Sequence, residues 1–150
     1  MEMGRRQVRE KVLQTLYQYE MNEEARENLI RKKGRALERE TGKDSLEFFL
    51  RLTRGVIQNQ EKLDHAVEPF LKKDWTMSRL SIVDRMILRM AAYELLLEKE
   101  IPEGATLNEA VELAKTFSTE ESARFINGVL GNITENLEEV KGGLIPEEPL

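Results

Sequence analysis

The sequence predicts an all-α protein: a compact helical domain of six to seven helices joined by short loops. Three observations carry that expectation. Apolar residues recur at steps of three and four in nearly every segment, and none sustains the two-residue alternation of a half-buried strand. A short polar residue followed three places later by glutamate marks helix starts, as in Thr106 with Glu109 and Ser118 with Glu121. Breakers are concentrated between the periodic runs, as in "IPEG" at 101–104.

The elements follow in order. Val8, Val12, Leu16 and Tyr19 set one face of a first helix over roughly 5–20. A charged second helix has a thin stripe of Ala25, Leu29, Ala36 and Leu37, and Thr41–Gly42 ends it. Asp44, three places before Glu47, opens a long third helix running toward Leu71. Ser78 or Ser81 opens the next, whose run "IVDRMILRMAAYELLLE" is apolar on most sides and so belongs in the middle of a bundle. Two amphipathic helices follow from the Thr106 and Ser118 boxes, and the last buries Ile126, Leu130, Ile133 and Leu137. There is no internal repeat.

Composition narrows the function. Over 150 residues, 40% are hydrophobic and 34% charged, enough for one helix-rich domain with its own core. The absence of cysteine excludes a disulfide framework and a thiolate metal site. No apolar run reaches membrane-spanning length and no signal-peptide pattern opens the chain, so a cytoplasmic protein without membrane attachment is expected. The net charge of −5 is unevenly placed, with glutamates at 135, 138, 139, 147 and 148 against Lys141 alone. With Gly142, Gly143, Pro146 and Pro149 this reads as an acidic, disordered tail over 138–150 behind a helical domain at 1–137. The body is then nearly neutral, and a local basic face can matter.

Catalysis is not expected. His65 is the single histidine and reads as helix surface, and no P-loop or dinucleotide fingerprint occurs. Neither a metal nor a cofactor is implied. The opening "RRQVRE" is more informative. On a helical wheel Arg5 and Arg9 fall within about 40° of Val12 and Leu16, while Gln7, Lys11, Gln14 and Gln18 take the watery side. An arginine buried unpaired is too costly. The first turn is therefore expected to overhang the core and present Arg5, Arg6 and Arg9 to an anion; a solvated helix start is the alternative.

In the last helix Phe125 lies about 100° from the Ile126–Ile133 stripe, with Glu121 one turn earlier on its flank and Arg124 farther round. Such a ring either stacks on an unpaired base or packs a second helix face. Phe117 fits the edge of its own core stripe, and Glu121 is also the acid of the Ser118 box. Gly128 and Gly131 cost roughly 1 kcal/mol each in mid-helix, which a closely approaching backbone would explain. Arg31, Lys32, Lys33, Arg35 and Arg39 have no aromatic neighbours and read as solvated surface.

Three stretches together resemble one family: "RRQVREKVLQTLYQYE", "LSIVDRMILRMAAYELL" and "TLNEAVELAKTFSTEESARFINGVL". Their order and spacing are similar to the NusB family of transcription antitermination factors, over roughly residues 4–135. The resemblance implies two packed helical bundles, no catalysis, and binding of boxA-type single-stranded RNA in nascent ribosomal RNA transcripts. It implies as partners the small-subunit ribosomal protein NusE and an antitermination complex with RNA polymerase. By matching position, the RNA-facing residues are Arg5, Arg6, Arg9 and Tyr17 at the start, and Phe117, Glu121, Arg124 and Phe125 near the end. Asp84 matches the acid that faces NusE; helix capping after Ser81 is its other reading. Gln7 interrupts the family's arginine run, and Glu121 is longer than its aspartate. The helical fold is also similar to the N-terminal domain of ribosomal RNA cytosine methyltransferases, whose second domain 150 residues are not expected to accommodate. A helical protein–protein scaffold without RNA contact is the competing function.

Overall fold

The computed structural model describes residues 3–22, 26–98 and 100–144. They divide into two compact units, residues 1–58 and 59–150. The described residues form eight α-helices, one more than the upper expectation, and two short 3-10 turns, with no strand among them. The added helices come from breaks at Asn59, within the expected third helix, and at Asn136, within the expected last one.

The first unit holds α1 (Met3–Met21), α2 (Arg26–Thr41) and α3 (Lys43–Gln58), each packed on the other two. Val8, Val12 and Leu16 are buried as their spacing requires, facing the unit's own core with Phe49, Leu52 and Val56 of α3. Thr15 is also buried, and its hydroxyl donates back to the Lys11 carbonyl at 2.7 Å, which satisfies that hydroxyl inside the core. The buried face of α2 is Ile30, Gly34 and Leu37. Of the expected stripe only Leu37 is buried; Leu29 and Ala36 are half-exposed, and Ala25 lies outside the described residues. Gly34 decides this. A Cβ there would stand 2.9 Å from Leu46 Cδ1, so the missing side chain lets α3 approach and turns α2 onto the 30–34–37 face. Gly42, at φ +101°, then ends α2 as sequence suggested, its N–H donating to the Glu38 carbonyl at 2.8 Å. Asp44 does not cap: it lies inside the first turn of α3.

The second unit begins with α4 (Gln60–Val67), continues through a 3-10 turn at Glu68–Phe70 and a second at Met77–Arg79, and ends in α5 (Ile82–Leu97), α6 (Glu103–Phe117), α7 (Glu120–Glu135) and α8 (Leu137–Leu144). The single long helix expected over 44–71 is thus two helices. Asn59, at φ −110° and ψ 20°, leaves helical geometry between them, as befits a residue that competes poorly in helix interiors. Buried residues occupy most of α5, which contacts α4, α6, α7 and α8. That is the central helix its all-round apolar character required. Two of its buried charges have partners on neighbouring helices. Arg89, 4% exposed, donates from Nε and Nη2 to the two Asp64 carboxylate oxygens at 2.7 and 2.8 Å, tying α5 to α4. Glu94, 2% exposed, accepts from the Thr106 hydroxyl at 2.9 Å, tying α5 to α6.

That last bond corrects one expected cap. Thr106 is buried inside α6, which starts earlier, with Pro102 in the cap position. A second is corrected at α7, where Thr119, not Ser118, accepts the N–H of Ser122 at 2.9 Å. In both places tertiary partners claimed the hydroxyl that a local pattern assigned to a helix end. Ile126, Leu130 and Ile133 are fully buried on α7, each worth about 1.5–3 kcal/mol of burial. Leu137 is buried too but opens α8, so the expected tail is helical as far as Leu144; residues 145–150 lie outside the described residues.

Candidate functional site

In the first unit the candidate residues lie on α1. Arg5 and Arg6 are exposed in its opening turns. The Arg5 guanidinium carbon lies 4.1 Å from the centre of the Phe48 ring, with those of Arg9 and Arg51 at 5.5 and 5.6 Å. Phe48 is 2% exposed, so three arginines gather around one aromatic side chain. The first turn therefore does not overhang the core: it lies against Phe48 of α3. Arg9 is the clearer correction, because it is 5% exposed and makes further contact. Burial is tolerable because a guanidinium is weakly hydrated and its flat face packs on a ring. Exposed Arg51 was not among the expected residues. Its signal in the sequence was its place three residues after Phe48, one turn along the same helical face.

Tyr17 is 39% exposed but stands eight residues from Arg9, about 12 Å along α1. It lines a different feature, an open cavity of about 550 Å³ with Gln18, Met21, Asn22, Asn28, Leu29 and Lys32. The structure does not bring it into the arginine group.

In the second unit the candidates cluster where α6 passes into α7. Phe117 ends α6 and is half-buried; Glu121 and Arg124 are exposed on the first two turns of α7. Phe125 is half-buried, outside the fully buried stripe, although Val129 one turn on is 5% exposed. Because Thr119 provides the cap, the Glu121 carboxylate is not needed as the reciprocal acid of a Ser118 box. Gly128 and Gly131 have nothing within 4 Å of an added Cβ, so no neighbour among the described residues explains them.

Asp84 fixes this corner. It is 9% exposed in the first turn of α5. Ser81 caps that helix by accepting the Asp84 N–H at 3.1 Å. The Asp84 carboxylate is spent elsewhere, accepting from the Ser118 hydroxyl at 2.9 Å and the Ser122 hydroxyl at 2.7 Å. Asp84 is therefore neither the helix cap nor an open acid: it bolts the α6–α7 junction to α5. His65 is exposed on α4, as expected of a surface histidine. Among the described residues no three histidine or carboxylate side chains group closely enough to hold a metal ion, and no helix is long and apolar enough to cross a membrane.

Arginines gathered on a ring suit phosphate binding, and half-buried aromatics beside an exposed arginine suit base stacking. Fold and surfaces together define an all-α binding protein whose candidate contacts are cationic and aromatic. The comparisons narrow that class. The NusB family model matches residues 6–135. The transcription antitermination protein NusB of Bacillus cereus (strain B4264) is 45% identical over 140 residues, 90% of this chain and the whole of that protein, and that of Bacillus thuringiensis (strain Al Hakam) matches equally. Among solved structures, T. maritima NusB is 38% identical with a TM-score of 0.78, over 87% of this chain and 90% of that one. A chain from the crystal structure of antitermination factors NusB and NusE in complex with dsRNA is 26% identical with a TM-score of 0.75, over 91% and 99%. The chain belongs to the NusB family.

Proposed function

We propose that this chain is a transcription antitermination factor that binds boxA-type single-stranded RNA in nascent ribosomal RNA transcripts, jointly with the ribosomal protein NusE, in a complex with RNA polymerase. The observation that carries the proposal is the group of Arg5, Arg9 and Arg51 around Phe48, with exposed Arg6 next to it on α1, on a chain whose net charge is −5. Local positive charge concentrated on an acidic protein is what a polyanion ligand requires. The relative solved with NusE and dsRNA supports RNA binding jointly with NusE.

In this proposal Arg5, Arg6 and Arg51 meet phosphates, while Arg9 holds the group in shape. Tyr17 extends the RNA-facing side of α1. Phe117, Glu121, Arg124 and Phe125 face unpaired bases at the α6–α7 junction. Asp84 serves the NusE-facing side by holding that junction rigid. Residues 1–137 constitute the binding body, the role is one of binding in the cytoplasm, not catalysis, and NusE supplies part of the positive surface.

A titration of labelled boxA-like RNA, with and without purified NusE, tests this. Binding by the chain alone that falls with salt and tightens with NusE is expected. NusE binding without any RNA association, alone or together, would overturn the proposal in favour of a protein–protein scaffold.

A further inference from the structure

The segment "LKKDWTMSRL" at 71–80, which follows the first 3-10 turn and includes the second, carries none of the candidate residues on α1, α5, α6 or α7. Trp75 is 42% exposed, a large indole left in water. Around it Lys72, Lys73 and Arg79 are all exposed, and among the described residues none of the three is in an ion pair. The Arg79 guanidinium lies 5.7 Å from the indole centre.

This loop is held in shape. The Trp75 N–H donates to the Lys72 carbonyl at 2.9 Å, closing a turn through Asp74, whose φ of 69° is one that aspartate tolerates better than most residues. The Met77 N–H donates to the Glu68 carboxylate at 2.8 Å, and Arg79 N–H to the Thr76 carbonyl at 3.0 Å. Leu71, Met77 and Leu80 are buried and anchor both ends. The ordering of the backbone that carries the indole is thus met by the fold and not left to the moment of binding.

We propose that this loop is a second contact for single-stranded RNA, with Trp75 stacking on a base and Lys72, Lys73 and Arg79 meeting the flanking phosphates. The inference rests on the RNA-binding reading above and extends it to nucleotides outside the boxA element. Single-stranded nucleic acid is favoured over a protein partner by composition. A protein hot spot sets its aromatic anchor in a packed surround that excludes water. Here Trp75 is the one apolar side chain exposed among three cations, the pattern of a stacking platform in an electrostatic track.

Trp75 is the only tryptophan, so its emission reports on this loop alone. The full chain, with and without NusE, is titrated with labelled boxA-like RNA, bare or extended at both ends by oligouridine. Anisotropy of the label and tryptophan emission are followed together. The extended RNA is expected to bind more tightly and to quench Trp75. Trp75→Ala and the triple variant K72A/K73A/R79A each lose about tenfold in affinity for the extended RNA. The triple variant also flattens the dependence of log affinity on log salt by about 2, and both keep the melting temperature and the affinity for bare boxA-like RNA. If anisotropy reports binding while emission and both variants stay unchanged, this contact is overturned and the boxA reading stands. If only NusE changes the emission, the loop faces a protein and the inference is overturned. If neither RNA binds under any condition, both readings fall together.

Discussion

Arg9 and Arg5 share a ring, yet they are expected to fail differently when removed. Arg5 and Arg6 are exposed, so R5A/R6A should weaken boxA-like RNA binding and flatten the salt slope by about 1.4, with little change in melting temperature. Arg9 is buried against Phe48. Arg9→Ala should therefore cost stability, on the order of 1–2 kcal/mol from lost packing and cation–π contact. Thermal melts of the two variants separate them; equal melts would mean Arg9 does no structural work. Asp84 is a second residue whose environment sets its role. Asp84→Ala strands the Ser118 and Ser122 hydroxyls and should destabilise by about 2–4 kcal/mol. Asp84→Asn keeps an acceptor and should lose about half of that. A small effect of both on stability with a large loss of NusE affinity would show instead that the acid meets the partner directly.

Along α7 the same reasoning applies to a whole helix. Gly128 and Gly131 sit in mid-helix beside open space, so G128A/G131A should stabilise the chain by about 1–2 kcal/mol. If those glycines are kept for an approaching ligand, the same variant binds RNA or NusE less tightly although it is more stable. Stability and affinity rising together would show that nothing approaches there. Phe125→Ala should weaken RNA binding about tenfold. Because the ring is half-buried, some loss of stability is expected as well, smaller than the roughly 3–5 kcal/mol of a full core phenylalanine. A full core-sized loss with affinity intact in the folded fraction would place the ring in packing alone. Helix boundaries show where local patterns were overruled. The "STEE" box marked a helix start to within one residue, whereas "TLNE" lies inside a helix that already begins at Glu103; Ser118 and Thr106 went to Asp84 and Glu94, and Thr119 and Pro102 took the caps.

Over the whole molecule, charge decides how binding responds to conditions. With Arg5, Arg6 and Arg51 each neutralising about one phosphate, the slope of log affinity against log salt should be about −2 for bare boxA-like RNA. A slope near zero would mean that these arginines are not at the RNA. The acidic net charge opposes long-range attraction, so affinity should rise more from adding NusE than from lowering salt alone.

The helical class, the central place of α5, the buried faces of α1 and α7 and the family were legible in the chain alone, because each rests on periodicity or on residues at fixed spacing. Helical period reports which way a side chain points, whatever it later meets. What a side chain meets depends on another helix, and that only the tertiary structure decided. The turn of α2 onto Ile30 and Leu37 needed the gap at Gly34 beneath Leu46. The burial of Arg9 needed Phe48, nearly forty residues away in sequence, and the closed environment of Asp84 needed two serines from the far end of a helical hairpin. Trp75 gave no periodic signal because its exposure is set by a turn whose ends are buried elsewhere. Direction is local, and partnership is not.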